Sequence, residues 1–234
     1  MPHGATLTSA DTWAEWPMKE NALLEVIRRK VKRRSLIHPA CDVHRAIFVH
    51  VPKAAGTSVK QVLFPDAWTL THYRAIDYFL DSPLKYRRYF VFAFVRNPYD
   101  RLVSAYEFLL RGGKNEPDRR FRDRVLSSYA SFADFVKYGL GRREVDEKYH
   151  FMPQSRFIAS PWGSIMVDYV GRFERMESDF ATIAGRMGLD VRLPHSNKST
   201  RTRFEAYYTE ELRSIVYRYY KADFDLLDYE PEIV

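Results

Sequence analysis

The stretch Ala46-Ile-Phe-Val-His-Val-Pro-Lys-Ala-Ala-Gly-Thr-Ser58 decides the fold. Its first six residues are apolar and β-favouring and run into Pro52, which reads as a short strand buried on both faces. A turn follows, and Gly56 begins a helix whose inward face is Val59, Val62 and Leu63. The pattern then repeats. Trp68-Thr-Leu-Thr-His72 reads as a second strand, and residues 75–88 read as helical up to an interruption at Asp81-Ser-Pro83. Tyr89-Phe-Val-Phe-Ala-Phe-Val95 is the strongest strand pattern in the chain, and Asn97-Pro98 starts another helix. Residues 131–140 and 209–223 carry apolar positions at helical spacing, and a further helical stretch, 176–187, sits between the apolar run Ile165–Val170 and Gly188. Strands alternating with helices predict an α/β domain: three layers, with a central parallel β-sheet flanked by helices.

Size and composition support that class. The chain has 234 residues, 46% hydrophobic and 15% aromatic, with only 10 Gly and 12 Pro, which excludes disordered, collagenous and low-complexity proteins. The single Cys41 excludes an intramolecular disulfide framework and fits a reducing compartment. No apolar run approaches the ~20 residues that span a bilayer, and the first residues lack the basic-then-apolar order of a secretory signal. The expected location is cytoplasmic.

The formal charge is +7 and is unevenly placed. Residues 19–34 hold Lys19, Arg28, Arg29, Lys30, Lys32, Arg33 and Arg34 against Glu20 and Glu25. Such a basic balance suits polyanionic partners or ligands bearing phosphate or sulfate. Leu23, Leu24, Ile27 and Val31 place an apolar stripe among those charges, so residues 1–44 divide into a tail and a basic amphipathic helix. That helix docks on the domain, makes a peripheral membrane contact, or meets nucleic acid. Residues 45–234 form the main domain.

Two motifs carry chemistry. In Val49-His-Val-Pro-Lys-Ala-Ala-Gly-Thr-Ser58, the helix start offers unpaired N–H groups and a positive dipole end, which together hold a phosphate. Gly56 permits close backbone approach, Thr57 and Ser58 add hydroxyls, and Lys53 adds a point charge. The loop is P-loop-like in physics, but GxxxxGK[ST] is absent, because here the lysine precedes the glycine. In Phe92-Ala-Phe-Val-Arg-Asn-Pro-Tyr-Asp-Arg-Leu-Val-Ser-Ala-Tyr106, Asn97 is an N-cap and Asp100 stands at the acidic position of a capping box. Arg96 then sits at a strand's C-terminal end, where open α/β sheets bind ligands, and an arginine there grips phosphate bidentately. Ser104 lies two turns down the following helix. Taken singly, the loop also fits an ordinary strand–turn–helix connection, Arg96 a rim salt bridge, and Ser104 a packing residue.

Together, VxKxxGTS and FVRNPxxRLxSxY about forty residues later resemble the 5′-phosphosulfate loop and 3′-phosphate motif of sulfotransferases that use 3′-phosphoadenosine 5′-phosphosulfate (PAPS). The likeness is nearest the carbohydrate branch containing chondroitin, dermatan and heparan 2-O enzymes and short bacterial relatives. It implies that Lys53, Ala54, Ala55, Gly56, Thr57 and Ser58 hold the 5′ side of the donor, and that Arg96 and Ser104 hold its 3′-phosphate. Phe151-Met-Pro-Gln-Ser-Arg-Phe-Ile158, Val170-Gly-Arg-Phe-Glu-Arg175 and Pro194-His-Ser-Asn-Lys-Ser-Thr-Arg201 resemble later blocks of the branch. The last implies a loop over the nucleotide that makes Lys198, Ser199 and Arg201 further binding candidates. The resemblance runs from about residue 46 to 229. The sequence departs from the animal Golgi members in having no paired cysteines, and it is expected to carry no membrane anchor and no elaborate acceptor domain.

The implied reaction moves a sulfuryl group to the hydroxyl of a glycan or small molecule, with PAP as the other product. Lys53 is the candidate for stabilising the leaving group. No carboxylate pair or His/Cys cluster has metal-ligand spacing, so no metal is expected. A base must take the hydroxyl proton, and histidine has the intrinsic pKa for it. Of seven histidines, His72 falls at the predicted strand edge and near the branch's own base; His150 and Glu107 are alternatives. A P-loop kinase of a small alcohol would need a Lys-Ser/Thr pair after the glycine and a later acidic Mg²⁺ ligand, and neither arrangement is present. A non-catalytic basic binding protein fits residues 19–34 but leaves two phosphate motifs unused, so no nucleic-acid partner is expected.

Overall fold

The computed structural model describes residues 35–65, 72–193 and 203–232. The basic helix over 21–34, most of the predicted strand 68–72, and Lys198, Ser199 and Arg201 lie outside the described residues. Helix α1 (Pro39–His44) leads into β1 (Ala46–Val49), every residue of which is buried. Helix α2 (Gly56–Leu63) follows, with Val59 and Leu63 buried and Val62 packed against the core, as the sequence pattern requires. The predicted helical stretch then divides where Ser82-Pro83 interrupts it, into α3 (Ala75–Asp81) and α4 (Pro83–Arg88).

Strand β2 (Phe90–Val95) is central. It pairs in parallel with β1, Ala46 opposite Phe90, and with β3 (Tyr169–Arg172), Phe92 opposite Tyr169. Among the described residues the sheet is therefore three-stranded and parallel, in the order β1-β2-β3, with helices flanking it. Its aromatic content explains the apolar runs: Phe92 stacks between Phe48 and Phe90 at centroid distances of 5.2 and 5.5 Å. The Ile165–Val170 run contributes an isolated bridge, Ala159 to Ile165, before β3 begins.

Between β2 and β3 come α5 (Pro98–Leu110), α6 (Glu116–Arg124), α7 (Phe132–Tyr138), α8 (Arg143–Asp146) and α9 (Ser155–Ile158). After β3 come α10 (Met176–Arg186), α11 (Glu210–Tyr219) and α12 (Lys221–Leu227). The predicted helix over 209–223 is two helices, broken at Tyr220, whose ring is fully buried and whose hydroxyl donates to Phe151 O. None of the helices among the described residues is long and apolar enough to cross a membrane.

Candidate active site

A cavity of about 540 Å³ opens at the C-terminal ends of β1 and β2. Lys53, Ala55, Gly56, Thr57, Ser58, His72, Arg96 and Ser104 all line it, so the two motifs and the candidate base meet in one place. Ala54 lies in the same turn but is wholly buried.

The first motif forms a strained turn. Lys53 and Ala55 adopt left-handed backbone conformations, φ 67° and 60°, which non-glycine residues seldom take. Alternation of this kind curls successive N–H groups into an anion-binding concavity. Helix α2 has no side-chain cap, and its first bonds to Ala55 O come from Ser58 and Val59. The amides of Gly56 and Thr57 therefore have no helical acceptor.

Gly56 is needed where the loop meets the His50 ring. A Cβ there would overlap Cδ2 and Nε2 of His50, whose ring backs the loop. Since His50 is itself packed on Phe48 and His72, it has little room to retreat. Gly56→Ala is therefore expected to destabilise the fold by roughly 1–3 kcal/mol, the usual cost of overpacking. Chemical denaturation checks this; a variant as stable as the parent would show that the His50 ring yields.

The second motif is held from several directions. Gln154, fully buried, accepts from Arg96 N–H at 2.9 Å and donates to Arg96 O at 2.7 Å. Asp223 fixes Gln154 in turn, accepting from the N–H groups of Gln154 and Ser155, each at 2.8 Å. Asn97 caps α5 as expected, through Tyr99 N–H at 2.9 Å. Asp100 does not complete a capping box. Its carboxylate pairs with the Arg96 guanidinium at 2.6 Å, and Glu174 takes the Asn97 N–H instead, at 2.6 Å. Arg96 also lies 4.0 Å from the Phe173 ring centroid and reaches Lys53 O at 3.4 Å, which ties the two motifs together. Phe173 and Gln154 belong to blocks noted above only for their resemblance; no local pattern in the sequence assigned them these jobs.

Aromatic and basic side chains form one wall of the cavity, in the order His50, His72, Tyr149, His150, Phe108, Lys53. Neighbouring ring centroids are 4.2, 4.6, 4.1 and 5.2 Å apart, and Lys53 Nζ lies 3.9 Å from the Phe108 centroid. His72 Nδ1 is 3.0 Å from His50 O. A carbonyl only accepts, so Nδ1 carries the proton and Nε2 keeps its lone pair. Burial lowers the His72 pKa below its ordinary 6.5, partly countered by this bond. His72 lies outside any strand among the described residues and is positioned by the end of β1 rather than by a strand of its own. Glu107, the alternative base, is absent from the cavity lining; its carboxylate takes Arg111 at 2.9 Å and the Tyr207 hydroxyl at 3.1 Å.

Two further lysines stand at the lining. Lys60 and Lys114 border the cavity, and burial together with Lys114 lowers the Lys60 pKa. The cavity's carboxylate, Asp118, pairs with Lys148 at 2.7 Å and accepts from Lys114 N–H at 3.0 Å. Asp118 thereby ties the connection between α5 and α6 to Lys148, and α6 already begins at Glu116. Among the described residues no group of three or more His, Cys, Asp or Glu could hold a metal ion. The donor set suits a polyanion: backbone amides, hydroxyls, a guanidinium and ammonium groups.

Comparison with known proteins agrees with this chemistry. The family model described as the sulfotransferase family matches residues 40–230. Carbohydrate sulfotransferase 14 of Danio rerio is 30% identical over 83% of this chain and 55% of its own length. Carbohydrate sulfotransferase 10 of Danio rerio is 27% identical over 81% of this chain and 65% of its own. Carbohydrate sulfotransferase 11 of Danio rerio is 25% identical, over 86% and 70%. The chain thus spans between about half and two thirds of the length of the first two relatives. No solved structure matches it. With a match across nearly the whole of the described fold, the chain belongs to the sulfotransferase family.

Proposed function

We propose that this protein transfers a sulfuryl group from PAPS to a hydroxyl of a saccharide acceptor. One observation carries the reading. Two anion-binding motifs far apart in sequence open on a single cavity and touch through Arg96 and Lys53 O. The Lys53–Ser58 turn and the start of α2 hold the 5′ side of the donor, and Arg96 and Ser104 hold its 3′-phosphate. The names of the relatives supply the acceptor class. PAPS supplies the sulfuryl group, as donor substrate.

The residues divide the work as in-line displacement requires. The bond from sulfur to the acceptor oxygen forms as the bond from sulfur to the leaving phosphate oxygen breaks. His72 Nε2 takes the acceptor's proton, and the Lys53 ammonium meets the negative charge that grows on the leaving oxygen. The strained loop presents its amides before the donor arrives, so little reorganisation remains to be done. Chemistry of this kind needs positioning and charge more than a covalent intermediate, by analogy with phosphoryl transfer. Added EDTA is expected to leave turnover unchanged.

Incubation of the protein with PAPS and a mixture of saccharides, read by mass spectrometry, tests the activity. Gain of one sulfonate on an acceptor together with formation of PAP supports it; conversion of ATP to a phosphorylated alcohol by the same preparation would replace it. Arg96→Ala is expected to weaken PAP binding by about 1.5–3 kcal/mol, as for a charged hydrogen-bond partner. Because that change leaves Asp100 without its guanidinium partner, the Arg96→Ala, Asp100→Asn double variant provides the folded control. Unchanged affinity in both would remove Arg96 from the 3′-phosphate site.

A further inference from the structure

His150 occupies the middle of the cavity wall, between the base candidate His72 and the lysine assigned to the leaving group. The segment around it is fixed. Arg101, fully buried, donates to His150 O at 3.1 Å and to Met152 O at 2.7 Å. The His150 ring is 4% exposed and lies between the rings of Tyr149 and Phe108. Its Nδ1 is sealed from solvent and has no hydrogen-bond partner. Nε2 is therefore the nitrogen that meets the cavity.

These contacts select a tautomer. A proton on Nδ1 would bury an N–H with nothing to accept it, a rare and costly arrangement. A proton on Nε2 instead points a donor into the cavity and leaves only a lone pair unmet. His72 has the opposite form, because His50 O holds its proton on Nδ1. The wall thus presents, in order, an acceptor nitrogen, a donor N–H and an ammonium group.

We infer that His150 is a second catalytic histidine, donating a hydrogen bond from Nε2–H to the sulfuryl oxygens during transfer, with no proton passing to or from it. The inference rests on the sulfotransferase reading above and adds a residue to it. The charged and titratable groups that act on His150 are Asp118, Lys148, His72 and Lys53. Burial outweighs the pull of Asp118 and pushes its pKa down to about 3, so the ring stays neutral at working pH.

The test joins spectroscopy of the free protein to two variants. In ¹⁵N-histidine-labelled protein, nitrogen chemical shifts are expected to show His72 protonated on Nδ1 and His150 on Nε2. His150→Phe keeps an aromatic ring and removes the donor; it is expected to lower turnover by roughly 10²–10³-fold, as for loss of one oxyanion donor. His150→Gln carries an amide N–H close to the Nε2 position and is expected to restore most of that loss, with the acidic limb of the pH profile unmoved. Should His150→Phe fail to fold, the spectrum and His150→Gln still decide. A proton on Nδ1 of His150, a glutamine variant as impaired as a folded phenylalanine variant, or loss of the acidic limb would each overturn the donor role. Full activity of His150→Phe alongside normal PAP binding would overturn it too. If the parent protein neither binds PAP nor transfers sulfuryl groups, the sulfotransferase reading itself falls.

Discussion

His72→Ala is expected to lower turnover by roughly 10²–10⁴-fold, the range for loss of a general base, while PAP affinity stays nearly unchanged. The geometry behind this is the bond between His72 Nδ1 and His50 O, which directs the Nε2 lone pair outward as the proton acceptor. The sign of the pH dependence follows. Burial favours the neutral ring, and only that form accepts a proton, so activity is present above the folded pKa and is lost as the pH falls through it. The acidic limb of the parent profile should accordingly lie below the ordinary 6.5 of histidine. Turnover measured across pH in parent and variant checks both points. A folded His72→Ala protein with near-normal turnover would transfer the base to another group. A loss of PAP affinity as large as the loss of turnover would place His72 in the donor pocket instead.

Lys53→Ala should damage donor binding and turnover together, with turnover falling by roughly 10²–10³-fold as for removal of a charge-stabilising group. Lys53 belongs to both halves of the site. Its carbonyl receives Arg96 at 3.4 Å, and its ammonium lies over Phe108 in the wall that holds His72 and His150. The backbone at this position is left-handed, so alanine retains the same strain, and the variant reports mainly on the side chain. PAP titration and steady-state kinetics on the same preparation separate the two effects. Normal PAP affinity with greatly reduced turnover would confine Lys53 to the transition state; normal turnover would remove it from the site.

The layered fold was legible because its signals are local. Ala46–Val49 and Phe90–Val95 are apolar on both faces, and the buried parallel pair they form shows why. The loop and Arg96 were legible for a related reason, since strand ends followed by helix starts place anion-binding groups at the sheet's C-terminal edge. What the sequence hid depends on contacts between distant segments. Gln154 clamps Arg96 from 58 residues away, and Phe173 meets the same guanidinium from the end of β3. Asp100 occupies a capping position by pattern, but the Arg96 charge competes for it and wins. The reason for Gly56 also differs from the one its motif suggests: the His50 ring, six residues earlier, fills the space where a side chain would go. His150 and His72 look alike in sequence, and only their partners distinguish an acceptor nitrogen from a donor one.

That the cavity at the ends of β1 and β2 receives a 3′-phosphorylated adenine nucleotide is tested most directly by calorimetric titration of the parent protein with PAP, with ATP and Mg²⁺ in parallel. Saturable PAP binding that exceeds ATP binding, and that weakens in Lys53→Ala and Arg96→Ala, is the predicted result. ATP binding with Mg²⁺ and no heat from PAP at millimolar concentration would contradict it.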